Sequence, residues 1–308
     1  MTVAHFLSVL STPADRLFAM LNRAVSLRVR PEQVMAGKTL CCIFEKPSLR
    51  TRVSFEQASR KLGGSAFSLS QAEVGIGTRE TPEDIARVLA GMCDVIMARV
   101  FSHATLERMA AVSTVPIING LSDLAHPAQA LADILTMIDE FSPGNPRGIA
   151  GRSLAFVGDG NNVARSLATI CGKLGMNFSI CSPPGYALDA AWVHRIKLAI
   201  PGLNLHTCTD PAEAVARADA VYCDTFVSMG QEAEKAQRLS AFEKYQVNSQ
   251  LMAGAPAHAI VLHCLPASRG VEISAEAIDG PRSRVFKQAH NRLDAQMGLL
   301  AELLAPRV

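Results

Sequence analysis

Hydroxyl and guanidinium side chains lie together in one short segment near the beginning of the chain, Ser48-Leu49-Arg50-Thr51-Arg52. The apolar run 39–44 before it predicts a buried strand, and residues 53–58 after it predict the first turns of a helix. A helix N-terminus attracts anions through its free N–H groups and its dipole, and arginine forks fit phosphate or carboxylate oxygens. We therefore interpret the segment as an anion site. A helix cap with two solvated arginines is the alternative.

An imidazole and an amide open a later predicted helix, in His126-Pro127-Ala128-Gln129. Proline suits the first turn of a helix, and positions i and i+3 share one face. His126 and Gln129 are therefore predicted to point together toward whatever lies before the helix. Since a single histidine is usually structural, the structural and the functional interpretations both stay open at this stage.

A carboxylate and a hydroxyl follow a predicted strand in the second half of the chain. Asp224 comes directly after the strand 220–223, and Ser228 lies four residues further along. The carboxylate could hold an ammonium group, and the serine with free backbone amides could hold a carboxylate. Together they are the parts of a site for a free amino acid; an aspartate cap with a turn glycine is the alternative.

A thiol ends another predicted strand, in His263-Cys264-Leu265-Pro266. Cysteine is usually a small buried apolar residue, but at a strand end it could face a cleft, with its backbone carbonyl turned toward a ligand. Arg292, on the last predicted helix, offers another guanidinium from the far end of the chain. A solvated helix arginine is its ordinary explanation.

A Gly-x-Gly turn, Gly158-Asp159-Gly160, follows the predicted strand 153–157 and invites a dinucleotide-binding interpretation. Val163 stands where the third glycine belongs, and the next strand ends without an acidic residue to hold a ribose. A tight turn explains the glycines without a dinucleotide. The polar residues Asp159, Asn161 and Asn162 still lie at the carboxyl end of a strand, where parallel sheets bind ligands.

Strand-like and helix-like segments alternate along most of the chain, which predicts parallel α/β sheets. The predicted strands are 39–44, 66–69, 95–98, 115–118, 153–157, 177–181, 220–223 and 260–263. A cluster of turn-forming residues at 141–148 separates two halves. We predict two doubly wound parallel-sheet domains of similar size, residues 1–145 and 146–288, with a C-terminal helix in 289–308 that packs back on the first domain.

The composition argues against several classes of protein. The 308 residues are 49% hydrophobic and 19% charged, which is typical of a globular chain. A net charge of +2 predicts no nucleic-acid surface, and no apolar stretch approaches the roughly 20 residues that cross a bilayer. Residues 1–10 lack the basic start of a secretory signal, and the eight cysteines are scattered without a CxxC pair. We therefore expect a cytoplasmic protein with reduced thiols and no metal site.

In this order, the motifs resemble those of the ornithine carbamoyltransferase family, within the aspartate/ornithine carbamoyltransferase superfamily, over nearly the whole chain. The segment Ser48–Arg52 looks like the family's Ser-Thr-Arg-Thr-Arg signature, and His126–Gln129 looks like its His-Pro-x-Gln. His263–Pro266 matches its His-Cys-Leu-Pro, and Asp224–Gly230 resembles its Asp-x-x-x-Ser-Met-Gly loop. The resemblance implies transfer of a carbamoyl group from carbamoyl phosphate to the δ-amine of ornithine, giving citrulline and phosphate in arginine biosynthesis. It implies no metal and no organic cofactor.

The resemblance also implies which residues form the site. Those that would bind carbamoyl phosphate are Ser48, Leu49 through its main chain, Arg50, Thr51, Gln71, Arg99, His126, Gln129, Cys264, Leu265 and Arg292. Those that would bind ornithine are Asn162, Asp224, Ser228 and Met229. Arg99 and His126 would polarise the carbonyl group, and Cys264 would help the δ-amine lose its proton. Gln71 matches a position that reaches a neighbouring subunit's site, which implies a homotrimer with shared active sites.

Three residues depart from the family pattern. Leu49 replaces a threonine, Phe226 stands where tryptophan is common, and His290 stands where glutamate is usual. Leu49 leaves open a carbamoyltransferase that acts on an N-acylated ornithine, although Asp224 argues against it because an acylated α-amine carries no charge. Leu49 and His290 also leave open a paralogue that binds carbamoyl phosphate without turning it over.

Overall fold

The computed structural model describes residues 3–228 and 230–305. The chain forms two compact units. The first comprises Met1–Leu135, Gly144–Pro146 and His290–Val308, and the second comprises Thr136–Pro143 and Arg147–Ala289. Within the described residues, no helix is both long enough and apolar enough to cross a membrane.

The first unit contains a four-stranded parallel sheet. Its strands are β1 (Thr39–Phe44), β2 (Ser65–Ser70), β3 (Val95–Arg99) and β4 (Ile117–Leu121), and their order in the sheet is β2-β1-β3-β4. Its helices are α1 (Ala14–Val29), α2 (Leu49–Lys61), α3 (Gln71–Val74), α4 (Pro82–Ala90), α5 (His103–Val112) and α6 (Pro127–Phe141), which ends in the second unit. The central β1 and β3 are almost entirely buried, as their apolar sequences predict.

The second unit contains a five-stranded parallel sheet. Its strands are β5 (Ser153–Val157), β6 (Asn177–Cys181), β7 (Asn204–Cys208), β8 (Ala220–Cys223) and β9 (Ile260–His263), in the order β7-β6-β5-β8-β9. Its α-helices are α7 (Asn162–Lys173), α8 (Ala190–Ala199), α9 (Pro211–Val215), α10 (Lys235–Ala241), α11 (Ser249–Ala253) and α12 (Ala275–Asp279). Short 3-10 helices occupy Pro146–Ile149, Glu232–Glu234 and Glu243–Tyr245.

The last helix, α13 (Val285–Leu304), begins in the second unit and packs on the first with its C-terminal part. Arg28 of α1 binds Asp294 of α13 at 2.6 Å. A Cβ atom at Gly298 would collide with backbone atoms of Met20 and Ala24, so glycine permits the close approach of α13 to α1. The predicted fold class, including this C-terminal helix, is confirmed; the helix begins four residues earlier than the predicted 289.

Two strand predictions need correction. The strand predicted at 115–118 lies at Ile117–Leu121, and β7 was not predicted at all. β7 is an edge strand whose side chains are mostly exposed, and it includes the polar residues Asn204, His206 and Thr207. A strand of this kind lacks the apolar pattern from which buried strands are recognised.

Candidate active site

The start of α2 is built as the sequence predicts. Ser48 is its N-cap and accepts a hydrogen bond from the Thr51 N–H at 3.3 Å. Leu49 is the first helical residue, and its side chain is 75% exposed. The part of Arg52 in the anion site stays a prediction; its guanidinium binds Glu56 one turn further along, at 3.1 Å.

Arg292 joins the beginnings of two helices in the first unit. Its guanidinium donates to the Thr51 hydroxyl at 3.0 Å and also to the Gln129 side-chain oxygen. The Gln129 amide in turn donates to the buried Asp133 at 2.8 Å. All of these side chains are buried, so residues that are far apart in sequence form one preorganised polar cluster.

His126 lies in a strongly positive environment. Burial lowers the pKa of its imidazole well below the ordinary 6.5, and the charges of Arg292, Arg99 and Arg50 lower it further. His126 is therefore neutral at physiological pH and can donate one hydrogen bond without adding charge. Three guanidinium groups around a neutral imidazole form a site suited to a multiply charged anion with a polarisable carbonyl.

The pKa of His126 predicts a dependence of stability on pH. The unfolded chain binds a proton at this residue near pH 6.5 and the folded protein does not, so the free energy of unfolding falls as the pH drops below about 6.5. One such group contributes up to about 1.4 kcal/mol per pH unit. Urea unfolding between about pH 7 and pH 5 should therefore show a shallower loss of stability in His126→Gln than in the wild type. Parallel curves for the two proteins would contradict the depressed pKa.

A buried asparagine holds the loop that leads to His126. Asn119 in β4 donates to the backbone oxygens of Leu7 and Ala125, at 2.8 and 3.3 Å, and to the Ser122 hydroxyl at 3.2 Å. The sequence interpretation missed this residue. The available signal was a polar side chain directly after the apolar predicted strand 115–118.

Gln71 lies at the start of α3, on the wall of a cavity of about 650 Å³. Ser48, Leu49 and Arg52 line the same cavity. The Gln71 amide nitrogen donates to the Ile76 carbonyl at 3.2 Å, while its buried side-chain oxygen has no hydrogen-bond partner among the described residues. Gln71 is thus on the same cavity as the first motif, but no described hydrogen bond links it to Arg292 or His126.

Asp224 and Cys264 are brought together in the second unit, because their strands β8 and β9 are neighbours. The Cys264 thiol donates to one Asp224 oxygen at 3.0 Å, and the Asn161 amide donates to the other at 2.8 Å. The Thr225 N–H also donates to Asp224, at 2.8 Å. The structure therefore forms a carboxylate–thiol pair at the carboxyl ends of two parallel strands, where such sheets bind ligands.

The remaining residues assigned to ornithine are placed less directly. Asn162 is the first residue of α7, whereas its neighbour Asn161 caps the helix and contacts Asp224. The Ser228 N–H donates to the Gln231 side chain at 2.9 Å. Met229 lies outside the described residues. Asn161 was predicted to lie with Asn162 at the ligand-binding end of a strand, but its capping role was not predicted, although an asparagine directly before a helix is a typical cap.

A buried arginine fixes the loop that follows Asp224. Arg238 donates to the Phe226 carbonyl at 2.6 Å and to Asp159, and its guanidinium lies over the Tyr186 ring at 4.9 Å. Its partner Asp159 belongs to the Gly-x-Gly turn. Sequence reasoning missed Arg238 because these three contacts join residues that are not neighbours in sequence.

His263 acts on the backbone of the His-Cys-Leu-Pro segment. Its Nδ1 accepts the Leu265 N–H at 2.8 Å, so its Nε2 carries the proton and donates to Glu272 at 3.2 Å. Leu265 has a φ of 58°, a conformation that non-glycine residues rarely adopt. The buried imidazole therefore holds Cys264 and Leu265 in a turn. Cys264 and Leu265 belong to the second unit, whereas the other residues assigned to carbamoyl phosphate belong to the first.

The Gly-x-Gly turn has a structural explanation. A Cβ atom on Gly160 would overlap backbone atoms of Ala187 and Leu188, so this glycine allows two segments of the main chain to approach closely. No dinucleotide is needed to account for it.

Comparison with known proteins identifies the family. Residues 4–139 match the model of the aspartate/ornithine carbamoyltransferase carbamoyl-P binding domain, and residues 150–303 match that of the Asp/Orn binding domain. The chain belongs to the aspartate/ornithine carbamoyltransferase family. The predicted resemblance is thereby confirmed.

Relatives of this chain include two ornithine carbamoyltransferases and an acetylornithine transcarbamylase. The Bacillus subtilis ornithine carbamoyltransferase is 48% identical over 289 residues, which cover 93% of this chain and 89% of that protein. The ornithine carbamoyltransferase structure from Pyrococcus furiosus has a TM-score of 0.90 and 41% identity, covering 96% of both chains. An acetylornithine transcarbamylase complexed with acetylcitrulline has a TM-score of 0.88 but only 27% identity, covering 99% of this chain and 100% of that one.

Proposed function

We propose that this protein transfers the carbamoyl group of carbamoyl phosphate to the δ-amine of L-ornithine, giving L-citrulline and phosphate. The observation that supports this most is the set of three guanidinium groups around the neutral His126. A dianionic phosphate leaving group and a developing oxyanion both need preorganised positive charge and hydrogen-bond donors. The greater identity to ornithine carbamoyltransferases than to the acetylornithine enzyme supports ornithine as the acceptor.

In this proposal, the beginning of α2 binds the phosphate. Ser48, Arg50, Thr51 and the Leu49 N–H supply its donors, at a helix N-terminus that favours anions. Leu49 then binds the phosphate through its backbone N–H, and its exposed apolar side chain does not affect that donor.

The carbamoyl group lies next to the phosphate in the proposed site. Arg99 bridges the phosphate and the carbonyl oxygen, and His126 polarises that oxygen as a neutral donor. Gln129 and the carbonyl groups of Cys264 and Leu265 hold the carbamoyl NH₂. Arg292, already bound to Thr51 and Gln129, completes the set of donors.

Ornithine binds in the second unit in this proposal. Asp224 holds its α-ammonium group, and Asn162, Ser228 and Met229 hold the rest of its α-amino acid end. In the proposed step the Cys264 thiol, which donates to Asp224 at 3.0 Å, loses its proton to the solvent, and the thiolate then takes the proton of the δ-ammonium group. The neutral amine then attacks the carbonyl carbon, phosphate leaves, and positioning of the two substrates supplies much of the acceleration.

We further propose a homotrimer with shared active sites, in which Gln71 of one subunit reaches the site of the next. Exposed apolar side chains lie close to Gln71: Leu49 lines the same cavity, and Val53 and Phe67 are on the adjoining α2 and β2. Such side chains favour a surface that a neighbouring subunit covers. We propose a cytoplasmic enzyme of arginine biosynthesis, with residues 1–145 and 289–308 as the carbamoyl-phosphate domain and 146–288 as the ornithine domain.

The choice of acceptor is tested by comparing kcat/KM for ornithine and N-acetylornithine. We expect ornithine to be preferred, because Asp224 gains from the charge of a free α-ammonium group. A preference for N-acetylornithine would overturn the proposal. Binding of carbamoyl phosphate without phosphate release in the presence of ornithine would instead indicate a non-catalytic paralogue; neither alternative is favoured by the comparisons.

Replacement of Leu49 tests the phosphate end of the site. Leu49→Thr should retain activity and tighten carbamoyl-phosphate binding by about 2–10-fold, since a hydrogen bond contributes about 0.5–1.5 kcal/mol. The loss of an exposed leucine side chain should cost little stability. Leu49→Val is the control, because valine has the branched shape of threonine but no hydroxyl. Equal tightening in both variants would contradict a role for the added hydroxyl.

A further inference from the structure

A group of potential metal ligands lies at one edge of the second unit, away from Asp224 and Cys264. His206 Nε2, Cys208 Sγ and a Glu213 carboxylate oxygen all lie within 4.8 Å of one another. His206 and Cys208 lie on β7, which β6 and β5 separate from β8 and β9. The proposed reaction uses none of these residues.

Strand register explains why the ligands converge. His206 and Cys208 are two residues apart on β7, so their side chains point to the same face of the sheet. Cys181 on β6 is in register with Cys208, so the two side chains lie on the same face of the sheet. A second sulfur therefore lies behind the group of three.

Glu213 closes the group from the other side. It lies in α9, which begins only three residues after β7 ends, and its carboxylate contacts His206 Nε2 at 2.8 Å. Asp210 itself caps α9 through the Ala212 N–H at 2.9 Å, so it is occupied as a structural group.

We propose that His206, Cys208 and Glu213 form a binding site for a divalent transition-metal ion of the zinc class. One imidazole nitrogen, one sulfur and one carboxylate oxygen are ligands that Zn²⁺ accepts, and a water molecule completes a tetrahedral set. Mg²⁺ and Ca²⁺ prefer oxygen ligands and do not fit this set. The Cys208 thiol releases its proton to the solvent as it binds the metal.

The ligand spacing explains why the sequence predicted no metal site. Cysteine pairs two to four residues apart are the usual signal of zinc binding. Here the site has a single cysteine, and β7 itself was not predicted. The short connection from β7 to α9 brings Glu213 to His206.

The test is Zn²⁺ binding to the full-length protein, with Cys264→Ser introduced to remove the other cysteine that is not fully buried. Equilibrium dialysis under a phosphine reductant should give one Zn²⁺ per chain. His206→Ala and Cys208→Ser should each weaken binding by at least about tenfold, since even changes around metal ligands cost 10–100-fold. Co²⁺ should give a sulfur-to-metal charge-transfer band that Cys208→Ser removes or weakens strongly.

His194→Ala is the matched control, because His194 is an exposed histidine of the same unit on α8. It should leave Zn²⁺ affinity unchanged. His206→Ala changes an exposed position on an edge strand, so it keeps the test valid if the Cys208 variant fails to fold. Absence of Zn²⁺ binding in the Cys264→Ser protein, or equal affinity in His206→Ala and His194→Ala, would overturn the proposal.

Discussion

Arg50→Ala is expected to lower kcat/KM for carbamoyl phosphate by on the order of 10²–10³-fold, which abolishes useful activity. Arg50 lies at the N-terminus of α2, and its charge acts directly on His126. Loss of one preorganised donor to a developing negative charge typically costs about that factor in turnover. Steady-state kinetics over a range of carbamoyl-phosphate concentrations measure the effect.

Arg52→Ala is the matched control for Arg50. Arg52 is two residues along the same helix, its side chain is 59% exposed, and it pairs with Glu56. Exposed ion pairs contribute only about 0–1 kcal/mol, so this variant should keep kcat/KM within about fivefold of the wild type. Wild-type activity in Arg50→Ala, or an equal loss in both variants, would refute the assignment of Arg50 to the phosphate.

Asp224→Asn is expected to raise the KM for ornithine by on the order of 10²-fold or more. Loss of one partner of a buried charge pair costs about 2–5 kcal/mol, and asparagine keeps the shape of the side chain that contacts Asn161 and Cys264. The KM for carbamoyl phosphate should change much less. The variant should also discriminate less against N-acetylornithine, whose α-nitrogen carries no charge.

Asp189→Asn is the control for the loss of one carboxylate in the second unit. Asp189 caps α8 by accepting the Trp192 N–H at 2.8 Å, and asparagine caps helices equally well. Its kinetics should match the wild type. An unchanged ornithine KM in Asp224→Asn would show that Asp224 does not hold the α-ammonium group.

The parts of the site that sequence predicts are those where local pattern and chemistry coincide. Ser48 caps α2 because a hydroxyl precedes a helix, and Asp224 and Cys264 follow apolar runs that form β8 and β9. Parallel pairing of these strands then brings their ends together without further information. The ion pair of Arg52 with Glu56 was not predicted, although its i,i+4 spacing was visible in the sequence.

The remaining parts depend on contacts between distant residues. Arg292 reaches Thr51 across 241 positions of sequence, and Arg238 reaches Asp159 across 79. Asn119 and Arg238 act by fixing loops, a role that leaves no local motif. β7 lacks the apolar pattern of a buried strand because one of its edges faces no neighbouring strand.

The most direct test of the account is the reaction of the purified protein with carbamoyl phosphate and ornithine, with citrulline and phosphate measured together. We expect the two products to form in equal amounts and the formation of both to depend on ornithine. Phosphate release without citrulline, or no turnover although carbamoyl phosphate binds, would contradict it.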